Sequence, residues 1–440
     1  MGVVTPVVEE TREPQWGNLA LLRLSAFGFG SNGIGLTMDV MILPALTLLL
    51  VSDELKNTYL GLLGFSGLLV AAVVQLGIAP LSDRTRSPLG RRVPYLLGGC
   101  LLLCLGLVWV GLAPNFTVLL VAWLFIQGSI NIGYGPYQAL IQDLVPAHRV
   151  GMASSYKILS DAIGALLLIS LAGELLGFAA GSKPGIWIWL ALGVLGASML
   201  ITTWITSSAV IARRKARPEP PPTRQERRSG LHPQLKRFLV SRVLIVTSIS
   251  AFQTYGMFFL KDVTGSDNPA QAAGRMILVI GGALALSVYL TGWISDRTGR
   301  KPIILAGATG AAVSTIWMLS ADSTGEVLAT ASAVGFSVGA LLSANWALAN
   351  DLGTSGREAM HMGLVNLATI GGAAVAKVLG PGIDLLNRLQ PTVEILGVSH
   401  AFSGYSALLV GCGVLFMAGA LVLMPLKANI RDTVPSTELP

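Results

Sequence analysis

Charged residues are scarce in this 440-residue chain, at 12%, so each one inside an apolar run is a candidate for chemistry. Asp39 stands in TMDVMILP, Lys157 and Asp161 stand four apart in YKILSDAIG, and Lys377 stands in AAVAKVLG. A carboxylate surrounded by hydrocarbon is costly to ionise unless it meets a cation or a watered cavity, so its protonation follows its partner. That is the chemistry of a proton carrier, and Asp39 is the first candidate. Its alternative role is a residue snorkelling to the outer interface. The spacing of Lys157 and Asp161 puts both on one helix face, where they can pair. Such a pair is either structural or a switch that opens when Asp161 takes a proton. Lys377 either pairs with Asp161 or reaches an interface along its alkyl stem. Arg23 and Arg242 lie near the starts of their apolar runs and are expected to snorkel.

A second set is polar but uncharged: Asn32, Gln75, Gln127, Asn131, Tyr134, Tyr137, Gln138, Gln253, Tyr255, Asn345, Trp346 and Asn366. Amides and phenols bond hydroxyl-rich ligands, and an indole can cover the apolar face of a sugar. Gln127, Asn131, Tyr134 and Gln138 recur at helical spacing, which makes one polar stripe. Interhelical hydrogen bonding is the competing use of such residues.

The elements that must hold these groups are membrane spans. Hydrophobic residues make up 52% of the chain, in runs such as 59–80, 93–112 and 401–426. A helix crosses a bilayer in about 20 apolar residues. Twelve spans are predicted, at 19–49, 57–80, 93–112, 116–139, 151–177, 185–211, 237–260, 274–294, 302–320, 325–349, 359–385 and 400–427. The first is long enough to require tilt or a kink at Pro44, and GPG at Gly380 to Gly382 predicts a bend in the eleventh. No cleavable signal is evident in the polar stretch Met1 to Trp16. Loops after even-numbered spans hold Arg84, Arg86, Arg91, Arg92, Arg149, Arg297, Arg300, Lys301 and Arg357, and the basic block Ala212 to Arg237. Loops after odd-numbered spans are poor in bases, so both termini are expected in the cytoplasm of a multi-pass plasma (inner) membrane protein. The net charge of +7 is thereby assigned to topology rather than nucleic acid. Cys100, Cys104 and Cys412 fall in apolar runs and read as small hydrophobes; no metal-ligand spacing or cofactor motif is present.

The chain repeats itself. LSDRTRSPLGRRVPY, from Leu81, follows the second span; ISDRTGRKP, from Ile294, follows the eighth. ALIQDLVPAHR, from Ala139, is echoed by ALANDLGTSGR, from Ala347, with Asp143 matching Asp351 and Arg149 matching Arg357. The expected organisation is a six-helix bundle over 1–211, a basic cytoplasmic linker over 212–236 and a second six-helix bundle over 237–440. Parallel duplication of this kind is used by secondary transporters that rock around a midplane site.

GWISDRTGRK, Gly292 to Lys301, resembles the loop signature of the major facilitator superfamily, with Gly292, Asp296, Arg297, Gly299 and Arg300 in place. In the first copy Ala79 stands where the glycine would be. That copy, with PYQALIQDLVP from Pro136 and NWALANDL from Asn345, is similar to glycoside–pentoside–hexuronide cation symporters and proton-coupled sucrose transporters. The resemblance implies an all-α fold of two six-helix bundles and alternating access. It also implies that the loops around Asp83 and Asp296 act as latches. The two carboxylates accept from Arg84 or Arg297 and from exposed helix N-termini across the bundle interface in one state and let go in the other. Arg91, Arg92, Asp143–Arg149 and Asp351–Arg357 are further gating candidates, while a topology signal with headgroup contacts is the alternative role of Arg86 and Arg91. The second and fourth spans lack the carboxylates of sodium-coupled melibiose permeases, so protons are the expected coupling ion. The fifth span lacks the Gly-Pro signature of drug antiporters.

The expectation is a monomeric, cofactor-free transporter of a small polar solute, a sugar or glycoside, driven by protons and embedded in the lipid bilayer. The candidate coupling residues are Asp39, Asp161, Lys157 and Lys377. The candidate solute contacts are Asn32, Gln127, Asn131, Tyr134, Gln138, Gln253, Tyr255, Asn345, Trp346 and Asn366. Two rivals are an exporter of amphipathic compounds and a non-transporting assembly or receptor protein on the same fold. No phosphate-cradling loop is present, and nothing in the sequence supports an enzyme.

Overall fold

Runs this apolar satisfy their backbone only as helices, because hydrocarbon offers no partner for an N–H or C=O. The computed structural model describes residues 16–146, 149–178, 184–214, 233–321, 323–351, 358–390, 392–395, 398–401 and 403–425. Among them are 12 helical spans long and apolar enough to cross a membrane. The first comprises α1 (Asn18–Thr37), a π-helical turn (Met38–Ile42) and α2 (Leu43–Leu50). Next come α3 (Lys56–Arg84), α4 (Val93–Gly111), α5 (Phe116–Leu144), α6 (Val150–Phe178) and α7 (Pro184–Arg214). The second half holds α8 (Pro233–Val263), α9 (Pro269–Thr298), α10 (Arg300–Trp317) and α11 (Thr324–Asp351). Its eleventh span is split into α12 (Glu358–Lys377) and α13 (Gly380–Leu389), and α14 (Gly404–Leu423) closes the series. The expected linker, 212–236, falls largely on residues outside those described.

Two helix breaks matter later, and each has a proline cause. The expected kink at Pro44 lies earlier, in the π-helical turn, where the Leu43 N–H reaches back to the Met38 carbonyl. A proline ring clashes with the carbonyl four residues before it, here Val40, and a widened turn over Met38–Ile42 relieves that clash. In the eleventh span the bend falls at Lys377–Gly380, as GPG predicted. Pro381 has no N–H to offer the Lys377 carbonyl. The Tyr255 hydroxyl donates to that carbonyl instead, at 3.0 Å.

The duplication read in the loops is repeated in the packing. In the first half α1 packs on α6 and α7, α3 on α5, and α4 on α5 and α7. In the second half α8 packs on α12 and α14, α9 on α11, and α10 on α11 and α14, which is the same pattern span for span. The halves meet through α6 against α9 and through α3 against α12 and α13. Small residues permit these approaches: a Cβ on Gly173 would lie 2.9 Å from the Ala270 carbonyl oxygen and 3.0 Å from the Gly274 Cα. Between α13 and α14 lies a feature not expected from sequence, an antiparallel hairpin of β1 (Thr392–Ile395) and β2 (Val398–Ala401). It sits in a loop and leaves the all-helical class unchanged.

Candidate functional site

The two broken helices place charge at the join between the halves. The π-helical turn presents Asp39, and the end of α12 presents Lys377; Lys377 Nζ lies 2.5 Å from Asp39 Oδ2. The Lys377 side chain is 4% exposed and that of Asp39 24%. Lys377 therefore neither pairs with Asp161 nor snorkels to an interface, as sequence reasoning had it. Its stem threads past α3 where Gly64 has no side chain; a Cβ there would lie 2.5 Å from Lys377 Cδ. Tyr255 is fully buried and holds the Ala376 and Lys377 carbonyls, so it shapes the break that aims the lysine.

A second charged pair stays within the first half. Lys157 Nζ lies 2.8 Å from Asp161 Oδ2, one turn along α6. The same ammonium is 3.3 Å from the Tyr134 hydroxyl and lies over the Tyr134 and Tyr137 rings at 5.2 and 5.5 Å. Asp161 Oδ1 is buried without a hydrogen-bond donor, against Gly28 of α1. Asn32 donates to the Asp161 backbone carbonyl at 3.3 Å. This cage brings together Asn32, Tyr134, Lys157 and Asp161 from the sequence candidates. The rest of the α5 stripe divides: Asn131 is buried and donates to the Gln127 carbonyl, while Gln138 is exposed. Gln253 and Asn366 are also exposed.

Arg242 is a correction. It does not snorkel; it is 4% exposed. Its Nε donates to Thr369 Oγ1 at 2.9 Å, its Nη1 donates to Asn345 Oδ1 at 2.8 Å, and Trp346 covers its face at 4.4 Å. Asn345 and Trp346 thus meet an arginine rather than standing free. Arg23 is exposed.

At the end of the bundle that carries Trp16, Arg213 and Met424, the loop arginines are already paired. Arg91 and Arg92 grip Asp143 at 2.8 and 3.0 Å, and Arg92 also reaches Asp83 at 2.7 Å. Asp83 was expected to accept from its neighbour Arg84, which is exposed. The observed network joins α3, α4 and α5 of one half. Arg149 is half-buried at the start of α6. In the second copy Gly299 takes φ +88°, which turns the chain between α9 and α10 beside Arg300, and Arg297 is exposed in the last turn of α9. Gly292 and Asp296 lie on α9 and Asp351 ends α11. The side chains of Asp296 and Asp351, and the whole of Arg357, lie outside the described residues.

The opposite end holds a cluster that sequence reasoning missed. Among the described residues, the hydrogen bonds and ion pairs found between the halves lie toward this end. Lys56 is buried and bonds Asp262 at 2.6 Å and Asp53 at 3.3 Å, and Lys261 bonds Asp53 at 2.5 Å. Asp384 of α13 accepts from the Asn57 and Thr58 N–H groups at 3.3 and 2.7 Å, and from the Thr58 hydroxyl at 2.6 Å. The N-cap residue of α3, Leu55, provides no side-chain cap. Asp384 therefore caps α3 from the other half of the molecule, with its charge at the positive helix end. Tyr405 extends the cluster by donating to Asp262 at 2.7 Å. The signal for Asp384 was present: it is a carboxylate inside the eleventh span, the criterion that selected Asp39.

The Major Facilitator Superfamily matches residues 26–376. The chain belongs to that superfamily. With its 12 apolar spans, membership makes it a multi-pass integral membrane protein, and the curated proteins it is similar to include sucrose transport proteins. The sucrose transport protein SUT1 of Oryza sativa is 29% identical over 138 residues, 26% of this chain and 24% of that protein. The sucrose transport protein SUT5 of the same species is 26% identical over 136 residues. These matches span about a quarter of the relatives' length. Among solved structures, a bacterial homolog of the human lysosomal transporter Spinster, in an inward-facing and occupied conformation, superposes with TM-score 0.64 at 17% identity, covering 92% of this chain and 93% of that one. The nucleoside transporter NupG superposes with TM-score 0.66 at 12% identity, covering 92% and 99%. At such identities the structural likeness speaks to the fold.

Proposed function

We propose that this major facilitator protein carries a small polar solute of the sugar or glycoside kind, coupled to protons, by alternating access. The observation that carries the reading is the Asp39–Lys377 pair, a part-buried ion pair between two broken helices of opposite halves. The charges attract only while the halves are together at that depth. Protonation of Asp39 removes one charge and leaves Lys377 in need of solvent or another partner. The closed arrangement then loses its attraction, and the halves rock. Clustered inter-half bonds at the Lys56–Asp384 end fit a state closed there. The positive-inside rule favours the cytoplasm for the end with the basic loops, and so the outer face for the closed Lys56–Asp384 end. The cage of Asn32, Tyr134, Lys157 and Asp161 supplies donors and acceptors suited to hydroxyls, and the partial likeness to sucrose carriers favours a sugar-like solute.

Proteoliposomes with an imposed pH gradient test this. Labelled sucrose, maltose and nucleosides are offered in turn, and uptake against a concentration gradient that collapses with a protonophore is expected for at least one sugar. Uptake indifferent to the protonophore removes the proton. Flux confined to lipophilic cations moves the reading to efflux of amphipathic compounds.

A further inference from the structure

Five basic side chains are at least nine-tenths buried among the described residues: Lys56, Arg91, Arg92, Arg242 and Lys377. Four have a carboxylate at hand, at 2.6 Å for Lys56, 2.8 Å for Arg91, 2.7 Å for Arg92 and 2.5 Å for Lys377. Arg242 has none among the described residues. Its two bonds go to neutral oxygens, Thr369 Oγ1 and Asn345 Oδ1. Its third nitrogen, Nη2, makes no bond there. A buried guanidinium without a counter-charge is costly, and fixed dipoles compensate it only in part.

A second observation points the same way. Asn345 is 1% exposed, and its Nδ2 has no hydrogen-bond acceptor. Accepting from Arg242 fixes the amide so that its oxygen faces the cation and its N–H groups face elsewhere. One orphaned donor, Asn345 Nδ2 on α11, thus stands beside the guanidinium of α8 that has no counter-charge among the described residues. Trp346, 43% exposed, lies over the guanidinium and separates it from open space. The orphaned group is a donor, and the surplus charge is positive.

We propose that Arg242, Asn345 and Trp346 form a binding subsite for an anionic group, a carboxylate or a phosphate monoester, carried by the transported solute. The proposal rests on the polar-solute reading above and narrows it. Nη2 of the guanidinium donates to one anion oxygen, Asn345 Nδ2 donates to another, and the indole swings aside and then covers the body of the solute. An anion arriving there completes the pairing that each of the other four buried cations has within the protein.

The test uses the purified full-length protein and thermal unfolding. The probes are glucose, glucuronate and glucose 6-phosphate, with inorganic phosphate against chloride at equal ionic strength. Glucuronate, glucose 6-phosphate and phosphate are expected to raise the melting temperature with concentration, beyond chloride and beyond glucose. Arg242→Gln is expected to weaken that response at least tenfold. Since this variant can fail to fold, Asn345→Asp is the second arm. It gives Arg242 an internal carboxylate, so the unliganded protein is expected to melt higher than wild type and to lose the anion response. Equal anion responses in wild type and Asn345→Asp overturn the subsite. Stabilisation by glucose that the anionic forms do not exceed overturns it too, while leaving the sugar reading intact. An anion response without any glucose response keeps the subsite and sinks the neutral-sugar reading. Stabilisation only by phosphatidylglycerol vesicles, with none from the soluble anions, assigns the charge to lipid and overturns the proposal.

Discussion

At the scale of single residues, burial decides which charges matter. Asp39→Asn leaves Lys377 buried without its counter-charge, and stranding one member of a buried pair costs about 3–5 kcal/mol. The variant is expected to lose accumulation of solute against a gradient while retaining exchange of solute across the bilayer. Full accumulation in proteoliposomes would take Asp39 out of the coupling scheme. Asp39→Asn combined with Lys377→Gln removes both charges, so it is expected to recover thermal stability and still fail to accumulate. The cage around Asp161 gives a second test. Gly28→Ala would bring a methyl group onto Asp161 and close to the Tyr137 hydroxyl, 2.9 Å from the added Cβ. Solute binding is expected to fall at least tenfold, read by the loss of ligand-induced stabilisation. These pairs were half legible beforehand. Lys157 and Asp161 announce their pairing because four residues is one helical turn. Lys377 and Asp39 are 338 positions apart, and no local spacing rule reaches that far.

At the scale of elements, two breaks and one trans cap carry the argument. Pro44 and Pro381 were visible as irregularities, and the GPG bend fell where expected. The widened turn came before Pro44 because the ring's clash is with a carbonyl one turn back. The cap on α3 comes from the other half, so separating the halves at that end would remove Asp384 from the helix terminus. Asp384→Asn keeps an acceptor oxygen but removes the charge that favours the helix terminus, and charge-assisted bonds are roughly twice as strong as neutral ones. A loss of about 2 kcal/mol corresponds to a shift of about 30-fold toward opening at that end, since 1.4 kcal/mol is tenfold. Spin-label distances between the outer ends of α3 and α13 are expected to lengthen and broaden in the variant. Distances unchanged from wild type would make the cap incidental to gating.

At the scale of the whole molecule, the duplicated packing gives each half its own rigidity and leaves the join between them as the place to move. Among the described residues, the bonds found between the halves gather toward the Lys56–Asp384 end. Cysteine accessibility should therefore be uneven. Gln138→Cys, exposed on α5 toward the basic end, is expected to react readily with a membrane-impermeant thiol reagent from that side. Asn57→Cys, fully buried beneath Asp384, is expected to stay protected until Asp384→Asn is added. Equal labelling of both positions in the parent protein would contradict closure at the Lys56 end. Adding a side chain at Gly64, where Lys377 passes, is expected to prop the halves apart and slow turnover, which solute flux would show.

The amino-acid sequence by itself determined the membrane class, the twelve spans, the basic face and the duplication, because each is written in local quantities: run length, loop charge and recurring short strings. It also marked Asp39, Lys157, Asp161 and Lys377 by the cost of charge in hydrocarbon. Only the tertiary structure decided who meets whom. It joined Lys377 to Asp39, drew Arg242 inward to Asn345 and Trp346, and set Asp384 on the end of α3. The physical reason is that a charge's burial is local to its span, while its compensation comes from whichever helix packs beside it, and that neighbour is chosen by the packing of the whole bundle.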